Sequence, residues 1–137
     1  MERTFALIKP RAFQNNYTGA ILHRINSEGF GIAAIKSLRL SPDKAKQMYA
    51  VHRDKPFFHI LVEYMTSGPI VAMILEKENA IEDFRKLIGN TDPSKAQPGT
   101  IRKDFGLDQT KNAIHASDSP ENAQKEIELF FPEGSLY

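Results

Sequence analysis

The first apolar run, TFALI at 4–8, is short and closed by Lys9 and Pro10, which predicts a buried strand. From Tyr17 to Glu28 the pattern changes period. Ile21, Leu22 and Ile25 form a helical stripe, and Gly29 supplies a left-handed stop. Ile32 to Leu40 returns to alternation and predicts a second strand. Ser41-Pro42-Asp43 then reads as a helix start, with Ser41 as cap and Pro42 in the first turn, and the helix runs to about Val51. Phe57 to Met65 predicts a short helix ended near Ser67-Gly68. Pro69 to Leu75 is almost wholly apolar, as expected of a strand covered on both faces.

Asn79 to Ile88 predicts a further helix. Asn90 to Lys111 then shows no period and reads as a loop of about twenty residues, a length that in compact domains usually serves function. Asn112 to Ala116 predicts the fourth strand. Asp118 to Phe131 predicts the last helix, with Asp118 as cap, Glu121 reaching back to it and Pro120 in the first turn. The tail PEGSLY is expected to be irregular. The order implies an α+β sandwich, βαββαβ, with a four-stranded sheet, helices on one face and a helical pair inserted between strands two and three. One domain is expected over residues 1–137.

Composition changes this picture little. Apolar residues make up 41% and charged residues 26%, both ordinary for a globular chain. A net charge of +1 gives no case for a nucleic-acid or membrane partner. The absence of cysteine removes disulfides, thiolate metal sites and thiol nucleophiles, and suits a reducing compartment. The start MERTFALIKP lacks the apolar core and cleavage site of a signal peptide, and no apolar run reaches the ~18–20 residues of a membrane span. A soluble, cytoplasmic protein is expected.

The candidate chemistry centres on His115, in NAIHAS at 112–117. A histidine at a strand end can be a satisfied core residue, a metal ligand or a reactive group. Metal binding is the weakest of these, because His23, His52 and His59 make no paired ligand spacing with it. Glu126 sharpens the question. On a helix it lies between Leu129 and Phe130, and a carboxylate in an apolar stripe needs a partner. A bond from His115 to Glu126 would fix the imidazole tautomer and leave the other ring nitrogen nucleophilic, and Ser117 could steady the carboxylate. The alternative is a glutamate at the stripe edge that reaches water.

Cations bracket the long loop. Lys9 ends the first strand, Arg85 precedes the loop and Arg102 lies within it, while Thr91 and Asn112 can bond phosphate or sugar oxygens. Each alone could be a solvated surface residue. Neither GxxxxGK[ST] nor GxGxxG occurs, so a phosphate site would rest on side chains and a metal.

KP at 9–10, PFF at 56–58, SGPIVAMILE at 67–76, NTDP and PGTIR within 90–102, and NAIHASDS at 112–119 together resemble the nucleoside diphosphate kinase family, in order along nearly the whole chain. The resemblance implies a ferredoxin-like fold. It also implies transfer of the γ-phosphate of a nucleoside triphosphate, typically ATP, to a nucleoside diphosphate by a ping-pong route, with Mg²⁺ on the nucleotide phosphates. In this sequence it makes His115 the phosphate carrier, with Glu126 and Ser117 orienting it. Lys9 and Asn112 would meet the ribose 3′-hydroxyl, Lys9 also the phosphates, and Phe57 would stack on the base. Arg85, Thr91 and Arg102 would bind phosphate, and Tyr49 and His52 would line the phosphate site. It further implies a homo-oligomer, a tetramer or hexamer. Three positions depart from the family pattern. Ala116 stands where glycine is usual, Arg11 where Asp or Asn is common, and Lys55 where arginine is usual.

Overall fold

The structure is a computed structural model and describes residues 1–132. The expected irregular tail lies, from Glu133 onward, outside the described residues. β1 (Glu2–Ile8), β2 (Gly31–Arg39), β3 (Pro69–Lys77) and β4 (Ile114–Ala116) form a sheet in the order β2-β3-β1-β4, with every neighbouring pair antiparallel. This is the ferredoxin-like arrangement. The helices are α1 (Pro10–Gln14), α2 (Thr18–Ser27), α3 (Pro42–Met48), α4 (Phe58–Met65), α5 (Ala80–Ile88), α6 (Ile101–Phe105) and α7 (Pro120–Phe130).

Strand alternation divides the core in two. Phe5 and Leu7 of β1, with Ile70, Ala72 and Ile74 of β3, pack under α3, α4 and α7. Ala6 and Ile8, with Val71, Met73 and Leu75, pack under α1, α2, α5 and α6. Helices therefore cover both faces rather than the single face expected. A central strand with two dry faces favours apolar side chains throughout, which is why FALI and PIVAMIL read as unbroken apolar runs, with Thr4 a buried polar exception. Phe5 stacks on Phe130 with ring centroids 4.8 Å apart, tying β1 to α7.

The inserted pair α3–α4 lies on the same face as α7. Ser41 caps α3 as expected, accepting from Lys44 N at 3.2 Å, but α3 stops at Met48 and a 3-10 turn at Ala50–His52 replaces its last turn. The cap of α7 is Ser119, which accepts from Asn122 N at 3.1 Å; Asp118 instead accepts from the Asn122 side chain at 2.6 Å. The long loop is less irregular than it reads. Asp92 starts a 3-10 turn at Pro93–Lys95, and Thr100 caps α6. β4 is shorter than expected because Ala113 has φ 79°, a left-handed conformation that breaks the strand ahead of Ile114. No helix among the described residues is long and apolar enough to cross a membrane.

Candidate functional site

Period-two alternation decides where His115 points. Ile114 and Ala116 join the core under α5, so His115 between them faces α3, α4 and α7. It pairs with Leu7, which faces the same way. Glu126 on α7 comes down beside it. His115 Nε2 lies 2.9 Å from Glu126 Oε1, and Ser117 Oγ donates to the same oxygen at 2.6 Å. A carboxylate accepts, so Nε2 carries the ring hydrogen and the lone pair falls on Nδ1. Among the described residues no hydrogen bond reaches Nδ1. Both side chains are mostly buried, at 18% and 13% exposure, so the pair is held in a poorly hydrated place.

A row of rings leads outward from this pair. Tyr49 meets the His115 ring edge-on at 6.0 Å, His52 lies 6.4 Å from Tyr49, and Phe57 lies 5.4 Å from His52. The 3-10 turn after α3 sets this spacing. Phe57 precedes α4 and is 45% exposed, so a large flat ring stands at the outer end of the row. Among the described residues the buried Tyr49 hydroxyl has no hydrogen-bond partner. Burial, then the charge of Glu126, hold its pKa well above the ordinary tyrosine value, so it remains a proton donor at neutral pH.

The cations converge from the other side. Lys9 sits in extended backbone at the end of β1, continuing the Phe5–Leu7 alternation, and its Nζ donates to Thr110 O at 3.3 Å. Burial, and then Arg102, push its pKa down to about 7, against the opposing pull of Asp108. Arg102 is also buried. Its two terminal nitrogens donate to Gly89 O at 3.1 Å and Ile114 O at 2.9 Å, the latter on the residue just before His115. Burial and the neighbouring Arg85 lower its pKa to about 10, so it stays charged at neutral pH. A guanidinium has five N–H donors, which leaves three, and among the described residues Arg102 Nε has no partner. Gly89 makes this packing possible: its φ is 88°, and a Cβ there would lie 2.7 Å from the Thr100 side chain.

Asn112 is fixed by its amide, which donates to Thr91 O at 3.1 Å and Gln109 O at 2.9 Å. Its Oδ1 is buried, with no partner among the described residues. Arg85 is exposed on α5, close enough to Arg102 and Asp118 to act on both by charge. It also lines a separate cavity of about 480 Å³ with Glu2, Ile81 and Asp118; no other candidate site residue lines that cavity. The structure thus brings His115, Glu126, Ser117, Tyr49, Lys9, Arg102 and Asn112 into one cluster. His52 and Phe57 are joined to it through rings, Thr91 through its carbonyl, and Arg85 through charge.

Three residues absent from the sequence reading matter here. Asp108 Oδ1 accepts from Thr110 N at 3.0 Å and Lys111 N at 2.7 Å, shaping the turn on which Lys9 rests. An Asp whose side chain bonds the backbone N–H two residues on, as Asp108 does to Thr110, is a legible turn signal. Ala113 O accepts from Lys9 N at 2.9 Å, and its left-handed backbone had no glycine or asparagine to mark it. Gln109 O is the second anchor of Asn112.

The departures can now be placed. Ala116 lies in β4, paired with Ala6, and is not among the residues of positive φ, so its methyl causes no strain. Ala116→Gly is expected to leave kcat/KM within about twofold and to lower stability by about 1 kcal/mol, because glycine adds chain freedom and removes a buried methyl. Urea unfolding and steady-state rates would check this, and a tenfold gain in rate would contradict it. Lys55 is exposed.

What the cluster can do follows from its parts. A nucleophilic ring nitrogen, a carboxylate that stabilises the cationic ring, and unpartnered buried donors beside two cations suit the capture of a phosphoryl group. Among known proteins, a family model described as "Nucleoside diphosphate kinase" matches residues 2–136. A protein of that name from Nitratiruptor sp. is 53% identical over 136 residues, covering 99% of each chain. One from Archaeoglobus fulgidus is 49% identical, covering 99% of this chain and 90% of the other. The crystal structure of the Aquifex aeolicus nucleoside diphosphate kinase superposes with a TM-score of 0.92 at 52% identity, over 95% of this chain and 94% of that one.

Proposed function

The chain belongs to the nucleoside diphosphate kinase family and is a nucleotide phosphotransferase, and on that premise we propose that His115 Nδ1 is the atom that carries the phosphate. The observation that supports this is the imidazole itself: Nε2 is tied to Glu126 and Nδ1 is free, beside buried polar atoms that lack partners. The Nδ1 lone pair attacks the γ-phosphorus of a nucleoside triphosphate such as ATP. The bond from that phosphorus to the bridging oxygen breaks, and the diphosphate departs with the electron pair. The ring now bears positive charge, which Glu126 stabilises through the Nε2 hydrogen while Ser117 holds the carboxylate. A second diphosphate binds in the vacated place. Its terminal oxygen attacks the phosphohistidine, the P–N bond breaks, and the neutral ring returns. One nucleotide leaves before the next arrives, which is ping-pong kinetics.

The other roles are those the family resemblance implies, and for Asn112 the donor and acceptor count supports the role. Asn112 Oδ1 accepts from the ribose 3′-hydroxyl, since its amide is already committed. Lys9 meets that hydroxyl and the phosphates. Arg85, Arg102 and Thr91 bind phosphate oxygens, Tyr49 donates to the transferring group and His52 lines the phosphate path. Mg²⁺ enters as part of the substrate, on the nucleotide phosphates. Positioning and charge supply most of the rate. We further propose a single cytoplasmic catalytic domain that works as a homo-oligomer, a tetramer or hexamer, as in the family it resembles.

Phe57 offers the base a face and no hydrogen-bond code, so purines and pyrimidines are received alike. Phe57→Ala is expected to raise KM about tenfold for all bases, the order expected when ~1–3 kcal/mol of stacking is lost. A loss confined to purines, read from parallel assays with GDP and CDP, would contradict generic stacking. The test of the whole reading is a single half-reaction. Incubation with γ-labelled ATP and Mg²⁺, without diphosphate, should give one acid-labile phosphate on His115, discharged by GDP or CDP. ATP binding with no phosphoenzyme would make the chain a nucleotide-binding module instead.

A further inference from the structure

We propose that Arg11 is a positioning residue for phosphate transfer, fixing the backbone that carries Arg102 and Asn112. The inference rests on the site proposed above and concerns a residue that contacts neither of the reacting atoms. Arg11 is the second residue of α1, directly after Lys9 and Pro10. Its terminal nitrogen donates to Phe105 O at 3.1 Å, while its backbone N–H donates to the Tyr64 hydroxyl at 2.9 Å. Its guanidinium also lies over the Tyr17 ring, 6.0 Å from the centroid, and Tyr17 packs against Phe105 at 5.2 Å. One residue thereby joins α1 to α4, to the residue that leads into α2 and to the last residue of α6.

The grip on Phe105 falls at a place with no slack. The next residue, Gly106, is wedged so closely that a Cβ there would lie 2.6 Å from Arg102 O, 2.7 Å from Pro93 and 3.2 Å from the Asn112 Cα. Two of those neighbours belong to the residues assigned to phosphate and sugar. A movement of Phe105 is therefore passed directly to both. The Tyr64 bond adds the second wall. Tyr64 is on α4, the helix that Phe57 precedes, and the Lys111 ammonium lies 5.8 Å from its ring centroid. Arg11 thus links the two sides between which a nucleotide must fit. A side chain spent on a carbonyl and a ring is not aimed at phosphate, so its effect is geometric rather than a surplus of positive charge at the cleft.

The reaction chemistry on His115 needs none of these links, and this separates positioning from damage. Phosphoramidate, a small phosphoryl donor without base or sugar, should label His115 at the same rate, within twofold, in wild type and Arg11→Ala. With nucleotides the variant should show an apparent KM raised about tenfold for donor and acceptor alike, with kcat within threefold. Arg11→Lys, which can still reach a carbonyl, should recover at least half of the loss. Tyr64→Phe removes only the acceptor of the Arg11 N–H and should raise KM by two- to fourfold; it keeps the test open if Arg11→Ala does not fold. Unchanged KM in Arg11→Ala and Tyr64→Phe would overturn the proposal. So would a fall in kcat at constant KM, or slowed phosphoramidate labelling, either of which would place Arg11 in the chemistry or the general fold. Failure of wild type to be labelled would instead overturn His115 as the carrier, and nucleotide kinetics of the variants would still judge Arg11.

Discussion

A His115→Ala variant is expected to lose phosphate transfer by at least about 10⁴-fold, the scale seen when a catalytic nucleophile is removed, while binding ADP nearly as well as wild type. The reason lies in the division of labour. On the proposed roles, binding rests on Lys9, Arg85, Arg102, Asn112 and the Phe57 face, none of which needs the imidazole. On the same reading the transfer route rests on Nδ1: the chain has no cysteine, the Ser117 hydroxyl is turned to Glu126, and of the two imidazoles in the ring row His115 is the one oriented by that carboxylate. A coupled assay gives the rate and calorimetry the binding. Turnover at a tenth of wild type would refute the assignment of the carrier.

Lys9→Met should separate function from stability in the opposite sense. The burial that drives the Lys9 pKa to about 7 means that, at neutral pH, the folded protein holds an ammonium partly desolvated and close to the Arg102 charge. Between about 7 and the unfolded value of 10.5, the folded state binds fewer protons than the unfolded chain, so stability rises with pH across that window. The penalty is complete below about 7 and fades toward 10.5. A methionine of similar length removes it. The variant is expected to be more stable at pH 7 by about 2–4 kcal/mol, with Tm higher by about 5 °C or more, and the gain should shrink as pH rises toward 10. Its activity should fall at least a hundredfold, because a site built for polyphosphate loses a central cation. Thermal melts at pH 7 and pH 10, with rates on the same samples, test both halves. A less stable variant would show that Lys9 is repaid by contacts stronger than its burial costs.

Much of this was legible in the residues. His115 and Glu126 could be paired from sequence because each was out of place in the same way, a polar group in an apolar setting, at a separation that brings a strand end to a following helix. The strands of β1 and β3 showed themselves as short apolar runs for the related reason that both of their faces are dry. What escaped has physical causes too. α1 and α6 each have five residues, less than two helical turns, so no periodicity can build up. The left-handed turn at Ala113 is imposed by its surroundings, with Lys9 N–H on its carbonyl, and alanine gives no local sign of it. Asp118 and Ser119 are both good caps, and only the bond from Asn122 N decides between them. The second layer of helices is signalled by PIVAMIL, an apolar run that calls for cover on both faces, although the element order alone suggests a single layer.

The half-exposed ring of Phe57 has a consequence at the scale of the cell. A site that works as proposed, gripping sugar and phosphate and meeting the base only by its flat side, passes phosphate between nucleotides that differ only far from the reacting anhydride. The anhydride broken and the anhydride formed are then the same bond on different carriers, and the equilibrium constant lies near one. No nucleotide is favoured by the catalyst itself. Flux runs from whichever triphosphate pool is full to whichever is depleted, so that replenishing any one of them replenishes the rest.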